Sequence, residues 1–221
     1  MWVKICANTN VEDAVLAAAL GADAVGFVFA PSVRQVMPAQ VAEIAAHLPD
    51  HVERVGVFAA GSEKEIGAAV REARLTTVQL HGDLDLKLVR ALHADFNGRL
   101  RIIQALHWTV DDDGESYLTI AGQLHQIELD GILDRVLIDS KIGLAAGGTG
   151  RIFNWGSARD IFQRVHPGLK LILAGGLTPD NLGDALRILQ PWGVDVASGT
   201  EASAGRKDPK KLAAFIRESR L

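Results

Sequence analysis

Two side chains that can move protons each end a short apolar run of the sequence, Cys6 in 2-WVKIC-6 and Asp139 in 135-RVLID-139. A cysteine thiolate can act as a general base or a nucleophile, and a carboxylic acid can act as a general acid. Taken alone, a cysteine at such a position is more often a small buried residue. An acid there can instead cap the following helix or pair with the nearby Lys141. Both residues are therefore candidates because of where their runs end.

Three glycine-bearing segments follow the last three apolar runs: 147-GGTG-150, 175-GGL-177 and 198-SGTE-201. Glycine allows positive φ angles and close approach, so that successive amides can point at one anion. A single glycine pair is weak evidence and usually marks a tight turn. Three in succession predict a phosphate site, built from Gly147, Gly148, Thr149, Gly150, Gly175, Gly176, Ser198 and Gly199.

Two further polar residues follow apolar runs. Arg34, in 31-PSVR-34, can hold a substrate carboxylate with its planar guanidinium, although an isolated arginine is more often a solvated surface charge. His81, in 78-VQLHG-82, can be an acid, a base or a metal ligand. Because no second histidine or acid lies at convincing ligand spacing, we expect no metal and interpret His81 as a structural or orienting residue.

Eight short apolar runs rich in β-branched residues recur along the chain, and they alternate with segments of helical spacing. This order predicts repeated βα units and a parallel sheet covered on both faces. The runs are 2-WVKIC-6, 24-AVGFVF-29, 54-RVGVF-58, 76-TTVQLH-81, 101-RIIQAL-106, 135-RVLID-139, 170-KLILAG-175 and 194-VDVASG-199. Since no linker or break in composition divides them, we predict one catalytic domain over residues 1–221, an α/β fold with eight strands closed into a (β/α)8 TIM barrel. Functional groups of such barrels lie at the carboxyl ends of the strands.

Capping signals mark several of the intervening helices. Asn10 is a candidate cap of the first helix, which Gly21 ends, and 62-SEKE-65 predicts a capping box for the third. First-turn positions suit Pro38, Pro179 and Pro209. The fifth helix is the weakest prediction, because an acidic, turn-like cluster precedes a helical pattern at about residues 115–128.

Composition limits the function classes. The chain has 221 residues, 48% of them hydrophobic, a formal charge of −4, and a single cysteine that excludes an internal disulfide. Scattered basic residues argue against a nucleic-acid surface, and no apolar run is long enough to span a bilayer. We therefore expect a cytoplasmic protein that binds a small molecule and neither nucleic acid nor membrane.

The assembled motifs resemble those of the phosphoribosylanthranilate isomerases, (β/α)8 enzymes of tryptophan biosynthesis, over essentially the whole chain. The matching segments are 3-VKIC-6, 26-GFVF-29, 31-PSVR-34, 55-VGVF-58, 78-VQLHG-82, the stretch from Asp139 through 147-GGTG-150, 174-AGGLTPDN-181, 196-VASGTE-201 and 205-GRKD-208. Two positions depart from the family pattern. Ala7 stands where glycine usually follows the cysteine, and Thr200 replaces a common aliphatic residue.

The resemblance implies an Amadori rearrangement of N-(5-phosphoribosyl)anthranilate to 1-(2-carboxyphenylamino)-1-deoxyribulose 5-phosphate, without a metal or organic cofactor. By position, Asp139 matches the family's general acid, Cys6 its general base and Arg34 the group that holds the anthranilate carboxylate. The three glycine-bearing segments match its phosphate site. The sequence leaves open whether the protein is a monomer or a homodimer.

Competing interpretations remain open at this point. A ribulose-phosphate epimerase would need a cluster of metal-binding His and Asp residues, and an indole-glycerol-phosphate synthase would need a catalytic lysine and glutamate. Neither is evident, since Lys4 lies inside the first predicted strand and Lys170 begins the seventh, both away from the expected mouth. A non-catalytic sugar-phosphate-binding barrel, or a barrel isomerase that acts on another aminosugar phosphate, would also account for the glycine-bearing segments.

Overall fold

The computed structural model describes residues 1–110, 112–141 and 152–221, and its eight main strands close into a parallel barrel. Each strand pairs with the next along the chain, and the last pairs with the first. The strands are β1 (Trp2–Ile5), β2 (Ala24–Val28), β3 (Glu53–Phe58), β4 (Thr77–Leu80), β5 (Arg101–Thr109), β6 (Arg135–Lys141), β7 (Lys170–Leu173) and β8 (Gly193–Val196). The predicted fold class is confirmed.

A helix follows each strand, as the alternation predicts. The helices are α1 (Val11–Ala19), α2 (Pro38–Ala45), α3 (Glu63–Glu72), α4 (Leu86–Asp95), α5 (Asp113–Asp130), α6 (Trp155–Arg164), α7 (Pro179–Leu189) and α8 (Pro209–Glu218). Among the described residues, none of these helices is long and apolar enough to cross a membrane.

The capping predictions are confirmed where the structure tests them. The Asn10 side chain accepts a hydrogen bond from the Asp13 amide, and Ser62 and Glu65 form both halves of a capping box. Gly21 follows α1 with φ of 100°, a conformation that glycine adopts without strain. All three prolines occupy the first turns of their helices.

Several elements differ in length from their predictions, and one hairpin was missed. β5 continues to Thr109, and α5 begins at Asp113, inside the cluster interpreted as a turn, because the Asp112 carboxylate caps it. The eighth predicted strand is also too long. β8 stops at Val196, and a 3-10 turn leads into an unpredicted hairpin of β9 (Glu201–Ser203) and β10 (Arg206–Lys207).

The amino ends of the strands are closed by a polar cluster around Glu53 of β3. Its carboxylate accepts hydrogen bonds from Arg135 of β6 at 2.9 and 3.0 Å and from Thr77 of β4 at 2.9 Å. Trp2 donates to it at 3.3 Å and stacks on Trp192, with the ring centroids 5.5 Å apart. This cluster ties four strands together at the end of the barrel opposite the candidate site.

Candidate active site

A cavity of about 310 Å³ opens at the carboxyl ends of the strands and collects the candidate residues. Eight predicted site residues line it: Cys6, Arg34, His81, Asp139, Gly175, Gly176, Ser198 and Gly199. The other four, Gly147, Gly148, Thr149 and Gly150, lie outside the described residues. Parallel strands that end at the same rim bring together groups that are far apart in sequence.

Cys6 follows β1 directly and is 7% exposed, and its amide donates to the carbonyl of Val196 at 2.8 Å. Burial raises the pKa of its thiol more than the charge and hydrogen bond of Lys4 lower it. The resting group is therefore a thiol at neutral pH, and the basic form is the minority species.

Lys4 is fully buried inside the barrel, beneath this cavity. Its ammonium lies 2.7 Å from Asp195 Oδ2 and 2.7 Å from Gln79 Oε1, because β1 and β8 pair in a register that sets Lys4 beside Asp195. Burial opposes its charge, but the Asp195 carboxylate and the adjacent Cys6 raise the pKa of Lys4 overall, so that it stays a cation. Lys4 lies inside β1, as predicted, but its ammonium contacts two residues that line the cavity, Gln79 and Asp195, and interacts with the candidate base.

Asp195 itself lines the cavity and is 8% exposed. One carboxylate oxygen pairs with Lys4, and the other, Oδ1, has no hydrogen-bond partner within the described part of the chain. A buried acceptor of this kind suits a donor on a bound molecule. Asp195 was not among the predicted site residues, although an acid within an apolar run, 194-VDV-196, was an available signal.

Asp139, on β6, is 8% exposed and lies beside two histidines. Its Oδ2 is 3.4 Å from His81 Nε2, and His107 of β5 is its partner in the strand register. Ligand atoms of His81, His107 and Asp139 all lie within 4.8 Å of one another, a spacing at which a metal ion can be held. The sequence interpretation found no second ligand near His81 because it considered spacing along the chain, whereas adjacent strands bring the three together.

Arg34 is held by a side chain that the sequence analysis did not predict. Its guanidinium makes two parallel hydrogen bonds with Glu201, Nε to Oε1 at 2.9 Å and Nη2 to Oε2 at 2.7 Å. This hydrogen bonding raises the pKa of Arg34. Although burial favours the neutral acid, Arg34 and Lys207 together lower the pKa of Glu201. Arg34 is therefore an oriented cation at the cavity wall and not a solvated surface charge.

Lys207 of β10 connects this pair to the candidate base. Its buried ammonium is 3.7 Å from Glu201 and donates to the carbonyls of Cys6 at 2.6 Å and Ala197 at 3.1 Å. Burial lowers the pKa of Lys207. The β9–β10 hairpin thus braces both Arg34 and the backbone at Cys6.

Backbone conformation and close packing explain why glycine occupies the described positions of the predicted phosphate site. Gly175 and Gly176 have φ angles of 85° and 67°, and a side chain on Gly175 would overlap Ser140. A side chain on Gly199 would overlap the Leu177 carbonyl. Only glycine lets the loop after β7 approach both Ser140 of β6 and the turn after β8 so closely. These requirements are also what a phosphate cradle needs, because amides in such conformations converge.

Of the two departures from the family pattern, Ala7 adopts a costly backbone conformation, whereas Thr200 makes a local hydrogen bond. Ala7 is buried and has φ of 62°, a left-handed conformation that costs a residue with a side chain about 1 kcal/mol. Thr200 directs its hydroxyl to the Ala197 carbonyl at 3.1 Å, within its own turn.

A second cavity, of about 530 Å³, lies behind the glycine loops between α7 and α8, but it contains neither Cys6 nor Asp139.

The whole chain matches known proteins in sequence and in structure. Residues 3–218 match the family model described as N-(5'phosphoribosyl)anthranilate (PRA) isomerase. The chain belongs to this family. An N-(5'-phosphoribosyl)anthranilate isomerase of Trichlorobacter lovleyi is 37% identical over 219 residues, 99% of this chain and 97% of the relative. As a member of the phosphoribosylanthranilate isomerases, the chain is an enzyme that catalyses the Amadori rearrangement in tryptophan biosynthesis.

Solved structures of phosphoribosylanthranilate isomerases superpose closely on the barrel. The Thermotoga maritima enzyme has a TM-score of 0.85 at 33% identity, covering 100% of this chain and 98% of its own. Another structure of such an enzyme, in complex with reduced 1-(o-carboxyphenylamino)-1-deoxyribulose 5-phosphate, has a TM-score of 0.82 at 32% identity, with the same coverage. Both alignments therefore span the whole chain.

Proposed function

We propose that Asp139 is the general acid and Cys6 the general base of this isomerisation. The observation that carries the proposal is that both side chains line one cavity at the carboxyl rim, on strands three positions apart around the barrel. An aminosugar held between them would meet one group on each side. A reaction in which one proton is donated and another is removed needs an acid and a base that both reach the same bound molecule.

The chemistry follows in two steps. Asp139 gives its proton to the furanose ring oxygen while the bond between that oxygen and sugar carbon 1 breaks, and the nitrogen lone pair forms an iminium ion. The Cys6 thiolate then takes the proton from carbon 2, and the electrons of that C–H bond neutralise the iminium to give an enolamine. Tautomerisation of the enolamine gives the ketone product.

Both ends of the substrate would be anchored. Arg34, oriented by Glu201, would bind the anthranilate carboxylate with the N–H groups that Glu201 leaves available. Gly175, Gly176, Ser198 and Gly199 would bind the phosphate together with Gly147, Gly148, Thr149 and Gly150, the last four on sequence grounds alone. Fixing both ends restricts the reacting atoms to a narrow range of positions, which is the source of the orientation gain.

Several expectations about the whole protein remain part of this proposal. Residues 1–221 form one catalytic domain, the enzyme acts in the cytoplasm as a monomer or homodimer, and the reaction uses no metal or organic cofactor. No nucleic acid takes part. Sedimentation of the purified protein distinguishes the two oligomeric states.

The decisive experiment follows the fluorescence of the anthranilate adduct when purified protein meets freshly generated phosphoribosylanthranilate in buffer with a chelator. Rapid loss of fluorescence that Asp139→Asn eliminates supports the assignment. Saturable product binding without turnover would instead indicate a barrel that binds sugar phosphates without reacting with them. Turnover that requires added metal would contradict the cofactor-free reaction.

A further inference from the structure

A continuous line of polar contacts crosses the floor of the cavity from the base side to the acid side. It runs from Asp195 through Lys4 and Gln79 to His81, and ends at Asp139. Four strands contribute to it, β1, β4, β6 and β8, together with His81, the residue after β4. Gln79 and Lys4 are 2% and 0% exposed, so water does not compete for these contacts.

The orientation of the Gln79 amide is dictated by Lys4. An ammonium has only donors, so the atom of Gln79 that lies 2.7 Å from Lys4 Nζ must be the carbonyl oxygen. The amide nitrogen therefore faces the other way, 3.1 Å from His81 Nδ1. Reversing the amide would set its N–H groups against the buried ammonium, and the Lys4–Asp195 pair prevents the ammonium from moving away.

The orientation of Gln79 in turn decides which nitrogen of His81 carries the proton. An amide NH2 only donates, so Nδ1 must accept with its lone pair, and the proton of the neutral ring is then on Nε2. An N–H on Nδ1 would point at the amide N–H groups, so this contact selects the tautomer that carries its proton on Nε2. His81 Nε2, with its proton, faces Asp139 Oδ2 at 3.4 Å.

We propose that Lys4 and Gln79 are positioning residues that hold His81 as the neutral Nε2–H tautomer, and that His81 in this form orients Asp139 as the proton donor. This deepens the proposed function, since it rests on Asp139 as the general acid. The N–H donor on Nε2 faces one oxygen of Asp139 and leaves the other to carry the transferable proton.

The surroundings of the ring fit this assignment. The His81 amide donates to the Phe58 carbonyl at 2.8 Å, and its own carbonyl lies 3.0 Å from His107 Nε2. The two rings pack edge to face, with centroids 4.8 Å apart. Within the described ranges of the chain, the titratable groups that face His81 are His107 and Asp139 from the adjacent strands, with Lys4 and Cys6 beyond Gln79.

The same tautomer explains why the His81, His107 and Asp139 cluster should reject metal ions. A metal between these groups needs the lone pair of His81 Nε2, and Gln79 keeps a proton there. Gln79→Glu reverses the arrangement with little change of shape, because a carboxylate accepts from both Lys4 and His81 Nδ1. His81 then carries its proton on Nδ1 and presents a lone pair to Asp139.

The test is the protonation pattern of His81, read from two-bond 1H–15N correlation spectra of 15N-labelled protein at neutral pH. The chain has seven histidines, and the His81 signals are assigned by their loss in His81→Gln. The expected wild-type pattern is the Nε2–H tautomer. A Nδ1–H tautomer or an imidazolium in the wild type would overturn the proposal, whether or not the isomerase assignment holds.

Gln79→Glu should convert His81 to the Nδ1–H form or to the imidazolium, lower kcat about 10- to 100-fold with little change in KM, and bind Zn²⁺ more tightly than the wild type. The matched control is Gln163→Glu, which adds the same charge on the exposed face of α6 and should change none of these. Unchanged tautomer and kcat in folded Gln79→Glu would contradict the proposal. If that variant does not fold, the wild-type spectrum still decides.

Discussion

In the proposed mechanism Asp139 supplies a transferable proton and Cys6 accepts one, and substitution separates the two roles. Asp139→Asn keeps the shape of the side chain but removes the proton. We expect turnover to fall at least about 100-fold while the reduced product analogue still binds, as measured by the fluorescence assay and by titration. Asp160→Asn, on the exposed face of α6, is the control. Strong residual turnover in Asp139→Asn would place the acid elsewhere.

The pH dependence of the reaction should report the Cys6 thiol. Burial raises its pKa above the ordinary value near 9.0, and the thiolate is the active form, so kcat/KM should still be rising with pH well above neutrality. Cys6→Ser should lose at least about 100-fold in activity and this limb of the profile, because an alcohol is a far weaker acid. A wild-type profile that is flat across the alkaline range would contradict the role of Cys6.

The rule that functional groups lie at the carboxyl ends of barrel strands predicted Cys6, Asp139, Arg34 and His81 from the sequence. The rule needs only the order of elements along the chain. It could not find Lys4, Gln79 or Asp195, which lie inside the predicted apolar runs and not at their ends. Strands buried on both faces read as continuous apolar runs, so the sequence does not show which residues face the barrel interior. The available signal was two opposite charges in apolar runs, at Lys4 and Asp195, whose pairing depends on how β8 registers with β1.

Among the elements, the β9–β10 hairpin has the clearest functional role, since it supplies Glu201 to Arg34. Glu201→Gln removes the charge that orients the guanidinium. We expect KM to rise about tenfold with kcat nearly unchanged, because a charge-assisted contact contributes about 1.5–3 kcal/mol and only part of it is lost.

Steady-state kinetics checks this expectation, with Glu72→Gln at the exposed end of α3 as the control. A fall in kcat at constant KM would show that Glu201 acts on the chemistry and not on binding. In that case Lys207, which contacts both Glu201 and the Cys6 carbonyl, would be the connection to examine.

Helix caps were predictable because their signals are local, as at Ser62 and Glu65. The hairpin was not, since β9 and β10 have only three and two residues and no alternation to read. The start of α5 was misjudged for a related reason. Acidic residues suit turns and helix first turns alike, and only the Asp112 side chain, hydrogen-bonded to Glu115, decides between them.

At the scale of the whole molecule, we expect the amino ends of the strands to serve stability and the carboxyl ends to serve catalysis. Substitution of Glu53 tests this separation. Glu53→Ala leaves Arg135 buried without its partner, which should cost about 3–5 kcal/mol of unfolding free energy while kcat and KM stay near wild type. Urea denaturation measures the unfolding free energy, and steady-state kinetics measures kcat and KM. The control is Glu43→Ala, on the exposed face of α2. A large loss of kcat in folded Glu53→Ala would contradict this separation of stability from catalysis.

The pairing of β8 with β1 has a consequence for the order in which the enzyme matures. Lys4 finds its carboxylate partner only when Asp195 has been synthesised, and the brace at Arg34 and Cys6 requires Glu201 and Lys207 after that. A nascent chain still attached to the ribosome can therefore form most of its strands and carry both proton-transfer residues, yet lack an assembled site. Catalytic competence therefore requires that the β9–β10 hairpin has been synthesised and has packed against Arg34 and Cys6.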